Sequence, residues 1–198
     1  MAESDLSLNE VPFAATPDGW IDGVLTQFNL FLSDHASCEK KASGMAMNVA
    51  AHYPDQPRLL EAMVDLAVEE LNHYREVMRL LIKRGVVPGP DEKDLYVNEL
   101  NRCVRRGTEN FLLDRLLVGA VVERRGAERF GLIANALTDP ELKKFYQAIT
   151  ASEARHWTLF VELAKSHCEG MDVHGRLHEL SLIEGEIMLA QPFRPALH

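Results

Sequence analysis

Twice along the chain, a single glutamate is followed about 30 residues later by a Glu-x-x-His motif. Glu39 stands 31 residues before Glu70-Leu71-Asn72-His73, and Glu123 stands 30 before Glu153-Ala154-Arg155-His156. On an α-helix, positions i and i+3 share one face, so each motif offers a carboxylate and an imidazole together. One such motif is a weak signal. Two, each preceded by a glutamate at the same distance, constrain the fold, because a turn signal lies midway in each interval. Tyr53-Pro54-Asp55-Gln56-Pro57 bisects the first and Thr138-Asp139-Pro140 the second. In a helical hairpin, residues equally far from the turn stand at the same height. The spacing therefore predicts that all six side chains meet at one level of a four-helix bundle.

Charge supports a dinuclear metal centre there. Four carboxylates and two divalent cations are neutral together, whereas four unpaired buried carboxylates would be very costly. Carboxylate and imidazole donors suit iron or manganese. Glu39, Glu70, His73, Glu123, Glu153 and His156 are the candidate ligands and the candidate catalytic residues.

Helical signals dominate the rest. Thr16-Pro17-Asp18 reads as an N-cap with a first-turn proline, opening a helix that runs to about His52. A second helix follows the 53–57 turn and ends at Arg84-Gly85, with Pro88-Gly89-Pro90 beyond. Residues 85–98 read as a long crossover. A third long helix ends near Leu137, and Thr138-Asp139-Pro140-Glu141 caps a fourth that runs to about His167. A shorter helix is expected over 174–190, before Pro192 and Pro195. The expected fold is all-α: a ferritin-like four-helix bundle with a long crossover between helices 2 and 3 and a short extra C-terminal helix. Residues 1–198 are expected to form one domain, with the core bundle over 16–168 and an extension over 169–198.

Composition excludes other classes. A 46 % hydrophobic and 26 % charged chain is globular. It holds no apolar run long enough for a membrane helix, and the acidic start Met1–Asp5 lacks a secretory signature, so a cytoplasmic protein is expected. Cys38, Cys103 and Cys168 are too scattered for a disulfide framework or an iron–sulfur set, and no glycine-rich dinucleotide fingerprint is present. The net charge of −9 speaks against non-specific nucleic-acid binding, yet residues 75–129 carry 12 Lys/Arg against 9 Asp/Glu. Such a local basic face suits an oriented anionic macromolecule, although solvated helix faces give the same count.

Weaker candidates surround the ligands. His35, one turn before Glu39, either supports that ligand or lines the bundle. Asp34 and Asp65 are candidates for orienting ligand imidazoles. Tyr146, two turns before Glu153, reads first as a packed aromatic, and Met45, Met47, Met63 and Met78 as core. Small residues beside the ligands, namely Ala42, Ser43 and Ala46 near Glu39 and Gly119 and Ala120 near Glu123, suggest a substrate cavity. Close helix packing would use the same residues.

Asp34-His35-Ala36-Ser37-Cys38-Glu39-Lys40-Lys41-Ala42, Ala46-Met47, Glu69-Glu70-Leu71-Asn72-His73-Tyr74, Lys83-Arg84-Gly85, Val122-Glu123-Arg124-Arg125 and Ser152-Glu153-Ala154-Arg155-His156 resemble the MiaE family of tRNA hydroxylases. The resemblance spans roughly 16–168, and the segment around Glu39 is its most specific part. It implies a non-haem di-iron monooxygenase with two Fe ions and O2 as co-substrate, its iron ligands falling on the six positions above. It also implies a substrate: the isopentenyl group of 2-methylthio-N6-isopentenyladenosine, beside the anticodon of certain tRNAs. The prenyl tail would then lie along the small residues, Ser43 and Gly119 among them. The tRNA phosphates would meet Arg102, Arg105, Arg106, Arg124 and Arg125. Electrons would come from a separate reductase or ferredoxin. Oligomeric state stays open between a monomer and a small homo-oligomer. The alternatives are a ferritin-like ferroxidase or iron-handling protein, a manganese catalase, and a non-enzymatic helical binding module.

Overall fold

A computed structural model describes residues 10–198, and all regular structure among them is helical. The helices are α1 (Trp20–Thr26), α2 (Phe28–His52), α3 (Pro57–Lys83), α4 (Leu95–Arg102), α5 (Thr108–Ala136), α6 (Pro140–His167) and α7 (Val173–Ala190). The acidic start at Met1–Asp5 lies outside the described residues. No helix among them is long and apolar enough to cross a membrane. The chain divides into two compact units: Gly19–Lys93 with Phe193–Leu197, and Asp94–Pro192 with His198 and the segment ending at Asp18.

The first unit is built on the α2–α3 hairpin. On α3, Leu59, Met63, Leu66, Ala67, Glu70, His73, Val77 and Leu81 are buried. Their spacing of three and four residues is one helical stripe, and the candidate ligands sit inside it rather than on the polar face. Pro57 opens α3, where its missing N–H costs nothing. Midway along the hairpin, the Ser43 hydroxyl donates to the Ala67 carbonyl at 2.8 Å, tying α2 to α3.

Two expectations for the first helix are corrected. Thr16 caps no helix; its N–H and hydroxyl both donate to Glu128, at 2.7 and 2.5 Å. The helix begins instead after Gly19, whose φ of 84° suits glycine. Nor does it run unbroken to His52, because Gln27 leaves the helical region between α1 and α2. The apolar pattern hides the break, since Trp20 and Phe31 pack edge to face across it, 6.4 Å apart.

The second unit is built on the α5–α6 hairpin, with α4 and α7 packed on α5. Asp139 is the N-cap of α6, accepting the N–H groups of Glu141 and Leu142 at 2.9 and 3.0 Å, and Pro140 follows it. The expected crossover contains a helix: Asp94 caps α4 by accepting the Val97 N–H, and Tyr96 and Leu100 bury its apolar side. The third long helix starts only at Thr108, after Gly107 at φ 107°.

Buried charges tie this unit together. Asp114 accepts from Arg105 at 2.7 and 3.0 Å and from Arg176 at 2.8 and 3.0 Å. Arg125 is fully buried and donates to both oxygens of Glu184, at 2.7 and 2.9 Å, while Tyr96 donates to the same carboxylate at 2.8 Å. Burial alone would lower the Arg125 guanidinium, but Glu184 outweighs it and holds it above its ordinary value.

Candidate metal centre

In the α2–α3 hairpin, Glu39, Glu70 and His73 are all buried, at 4 %, 1 % and 9 % exposure. One donor atom from each lies within 4.8 Å of the others. His73 Nδ1 faces both carboxylates, 3.2 Å from Glu70 Oε2 and 3.7 Å from Glu39 Oε2. Its outer nitrogen lies 4.0 Å from Glu69, one turn earlier on α3. Fully buried His35 hydrogen-bonds Glu39 Oε1 through Nε2 at 2.6 Å, so of the two readings it braces the candidate ligand. Burial raises the Glu39 carboxyl above its ordinary value despite His35 and His73. Burial alone would lower the His73 imidazole, but Glu39 and Glu70 outweigh it and push it up to about 10.

The α5–α6 hairpin repeats the arrangement. Glu123, Glu153 and His156 are buried, and their donor atoms also lie within 4.8 Å of one another. His156 Nδ1 again faces both carboxylates, 3.5 Å from Glu123 and 3.8 Å from Glu153. Its outer nitrogen lies 3.4 Å from the Ser152 hydroxyl. Gly126 makes room for the site: a Cβ there would stand 3.0 Å from Glu153 Oε2. The sequence assigns no role to Gly126, and Glu69 and Ser152 enter it only as members of the quoted motifs. A signal was present, since Glu69 and Ser152 each lie one turn before a candidate ligand histidine.

The donor chemistry fits hard divalent metals. Each triad supplies two carboxylates and one imidazole, with no thiolate, which suits iron or manganese rather than a soft-metal site.

The remaining candidates divide. Ser43 braces α2 on α3, as described. Gly119 serves close packing rather than a cavity, since a Cβ would stand 2.9 Å from the Phe160 ring. Two arginines assigned to phosphate contact are corrected. Arg125 is buried against Glu184. Arg124 is half-buried, donates to the Pro12 and Val11 carbonyls at 2.9 and 3.1 Å, and lies against the rings of Phe13 and Trp157. Arg102 and Arg106 are exposed, Arg102 pairing with Glu99, and Arg105 is exposed but engaged with Asp114. Asp34 orients no imidazole; it accepts the Leu197 N–H at 2.7 Å. Asp65 is exposed on α3. Tyr146 is a packed aromatic, 5.7 Å from Phe130. Met63 is core, but Met47 is 49 % exposed.

Comparison with known proteins places this geometry in a lineage. The family model for tRNA-(MS[2]IO[6]A)-hydroxylase (MiaE) matches residues 7–198. A tRNA 2-(methylsulfanyl)-N(6)-isopentenyladenosine(37) hydroxylase from Pseudomonas putida is 39 % identical over 158 residues, covering 80 % of this chain and 77 % of that protein. A Salmonella typhimurium protein of the same name is 30 % identical over 133 residues, covering 67 % of this chain and 48 % of its own length. Among solved structures, protein 43 with aldehyde deformylating oxygenase activity from Synechococcus superposes with a TM-score of 0.88 at 34 % identity. The match covers 93 % of this chain and 94 % of that one. The all-α, ferritin-like class expected from the repeat is thereby observed. Carrying both halves of the Glu and Glu-x-x-His repeat within a match that runs to its last residue, the chain belongs to the MiaE family of tRNA hydroxylases.

Proposed function

We propose that this protein is a di-iron monooxygenase that hydroxylates the isopentenyl group of 2-methylthio-N6-isopentenyladenosine in tRNA. The observation that carries the reading is the pair of matched, buried carboxylate–imidazole triads in a chain of this family. In this reading the two units form one ferritin-like domain, and the triads jointly hold two Fe ions. Glu39, Glu70 and His73 serve from one hairpin, and Glu123, Glu153 and His156 from the other. The bound irons supply O2 activation, with electrons from a separate reductase or ferredoxin.

The chain's own residues do the rest. Burial of all six donors excludes water and strengthens every charge interaction among them. His35 fixes the orientation of Glu39, and Ser152 stands beside the outer nitrogen of His156. Gly126 lets the Glu153 carboxylate pack against α5, where any Cβ would crowd its Oε2. The basic residues left for tRNA phosphates are Arg102, Arg106 and the exposed part of Arg105.

The test is nucleoside mass spectrometry of tRNA treated with iron-loaded protein, O2 and a reductant. The proposal expects one added oxygen on the prenylated adenosine. Full iron loading with unchanged nucleosides, or turnover of an aldehyde in their place, would overturn it.

Proton linkage gives a second expected result. With its folded value raised from 6.5 to about 10, His73 contributes stability to the metal-free protein. That contribution is complete below about pH 6.5 and is lost as pH rises through about 10. A metal needs the ring neutral, so loading expels its proton, and affinity rises with pH. Adding Fe(II) anaerobically to a weakly buffered solution near pH 8 should release about one proton more from the parent than from His73→Gln. Equal release from the two would contradict the assignment of His73.

A further inference from the structure

The two triads match in their ligands but not in what supports them. One turn before Glu39 stands His35, and one turn before Glu123 stands Gly119. His35 engages Glu39 Oε1 at 2.6 Å and leaves Oε2 on the side of His73. Gly119 offers no side chain there, and the Phe160 ring leaves no room for one. One turn before His73 stands Glu69, a carboxylate 4.0 Å from the outer nitrogen. One turn before His156 stands Ser152, a neutral hydroxyl at 3.4 Å. Both differences run the same way. The α2–α3 triad is backed by an imidazole and a carboxylate. The α5–α6 triad has a bare glycine at one position and at the other a hydroxyl that accepts from the Arg155 guanidinium at 3.1 Å, a cation that makes it a poorer acceptor for the His156 ring.

Outer partners orient a ligand and set its basicity. A carboxylate on the far nitrogen makes an imidazole a stronger donor, and a hydrogen-bonded carboxylate oxygen fixes which oxygen meets the metal. We propose that the two metal positions are inequivalent. The α2–α3 position binds more tightly, and His35 is a positioning residue that acts through Glu39. The α5–α6 position, where Glu123 lacks a counterpart of His35 and Glu153 packs against the bare Gly126, is the one whose carboxylates rearrange. This rests on the metal-centre reading above, and the test separates the two.

Metal-free protein is titrated anaerobically with Fe(II) by calorimetry, and 57Fe Mössbauer spectra are taken at one and two equivalents. The parent should fill in two resolved steps, with a second, distinct quadrupole doublet appearing only in the second. His35→Leu and Glu69→Gln should each weaken the tighter step roughly 10- to 100-fold and leave the weaker step in place. His35→Gln, which keeps a side-chain N–H donor, should recover part of the loss, whereas Ser152→Ala should move only the weaker step. Two equal steps in the parent, or variants that weaken both steps alike, overturn the inequivalence and leave the metal centre standing. No bound iron in the parent overturns both.

Discussion

Glu70→Ala loses hydroxylation of the prenylated adenosine by more than about 100-fold, beyond what removing an outer-sphere partner costs. Glu70 is 1 % exposed and faces His73 Nδ1 at 3.2 Å, so no water-borne acid can replace it. Glu70→Gln separates loss of folding from loss of metal. It keeps the shape but removes one of the two carboxylates that hold the His73 imidazolium, while relieving the repulsion between Glu70 and Glu39. Metal-free Glu70→Gln should therefore melt somewhat lower than the metal-free parent, yet stay folded at assay temperature while losing iron and activity. A variant that lost activity only because it unfolded would assign Glu70 to the core instead.

Arg125→Met produces the largest loss of stability, about 3–5 kcal/mol, because it removes the two-pronged partner of a buried carboxylate. Glu184 is 2 % exposed and would keep the Tyr96 hydroxyl at 2.8 Å and the longer-range attraction of Arg124 and Arg129. For a chain of this length the melting temperature should fall by roughly 6–20 °C. The guanidinium also donates to the Ala14 carbonyl at 2.7 Å and to Glu128 at 3.0 Å, so the N-terminal segment loosens with it. Arg125→Met combined with Glu184→Leu should recover much of the loss, since a well-packed apolar pair avoids the stranded charge. Urea unfolding of the single and double variants checks this. A single variant within about 1 kcal/mol of the parent would contradict this and show that Arg124, Arg129 or water compensates Glu184.

The clustering of the candidate ligands was legible in the sequence because its logic is local. Each motif lies on one helix, and each turn is marked by prolines, so spacing alone brought Glu39 to Glu70 and Glu123 to Glu153. What escaped depends on partners far along the chain. Arg125 reads as a surface charge because its partner Glu184 lies 59 residues on. Gly119 reads as cavity or packing until the Phe160 ring from the next helix is in place. Thr16 carries every mark of a helix cap, yet Glu128, 112 residues away, takes both of its donors. The break at Gln27 is silent because buried apolar residues continue on both sides of it. The short α4 hides behind Pro88-Gly89-Pro90, and only its Asp94 cap betrays it.

The most direct measurement supplies the iron-loaded protein and its reductant with 18O2 and prenylated tRNA, and weighs the digested nucleosides. The account predicts that the prenylated adenosine gains one 18O, that the gain vanishes in Glu70→Ala, and that the parent carries about two irons per chain, one for each imidazole-bearing triad. An added oxygen drawn from water, or full hydroxylation by a chain without iron, would contradict it.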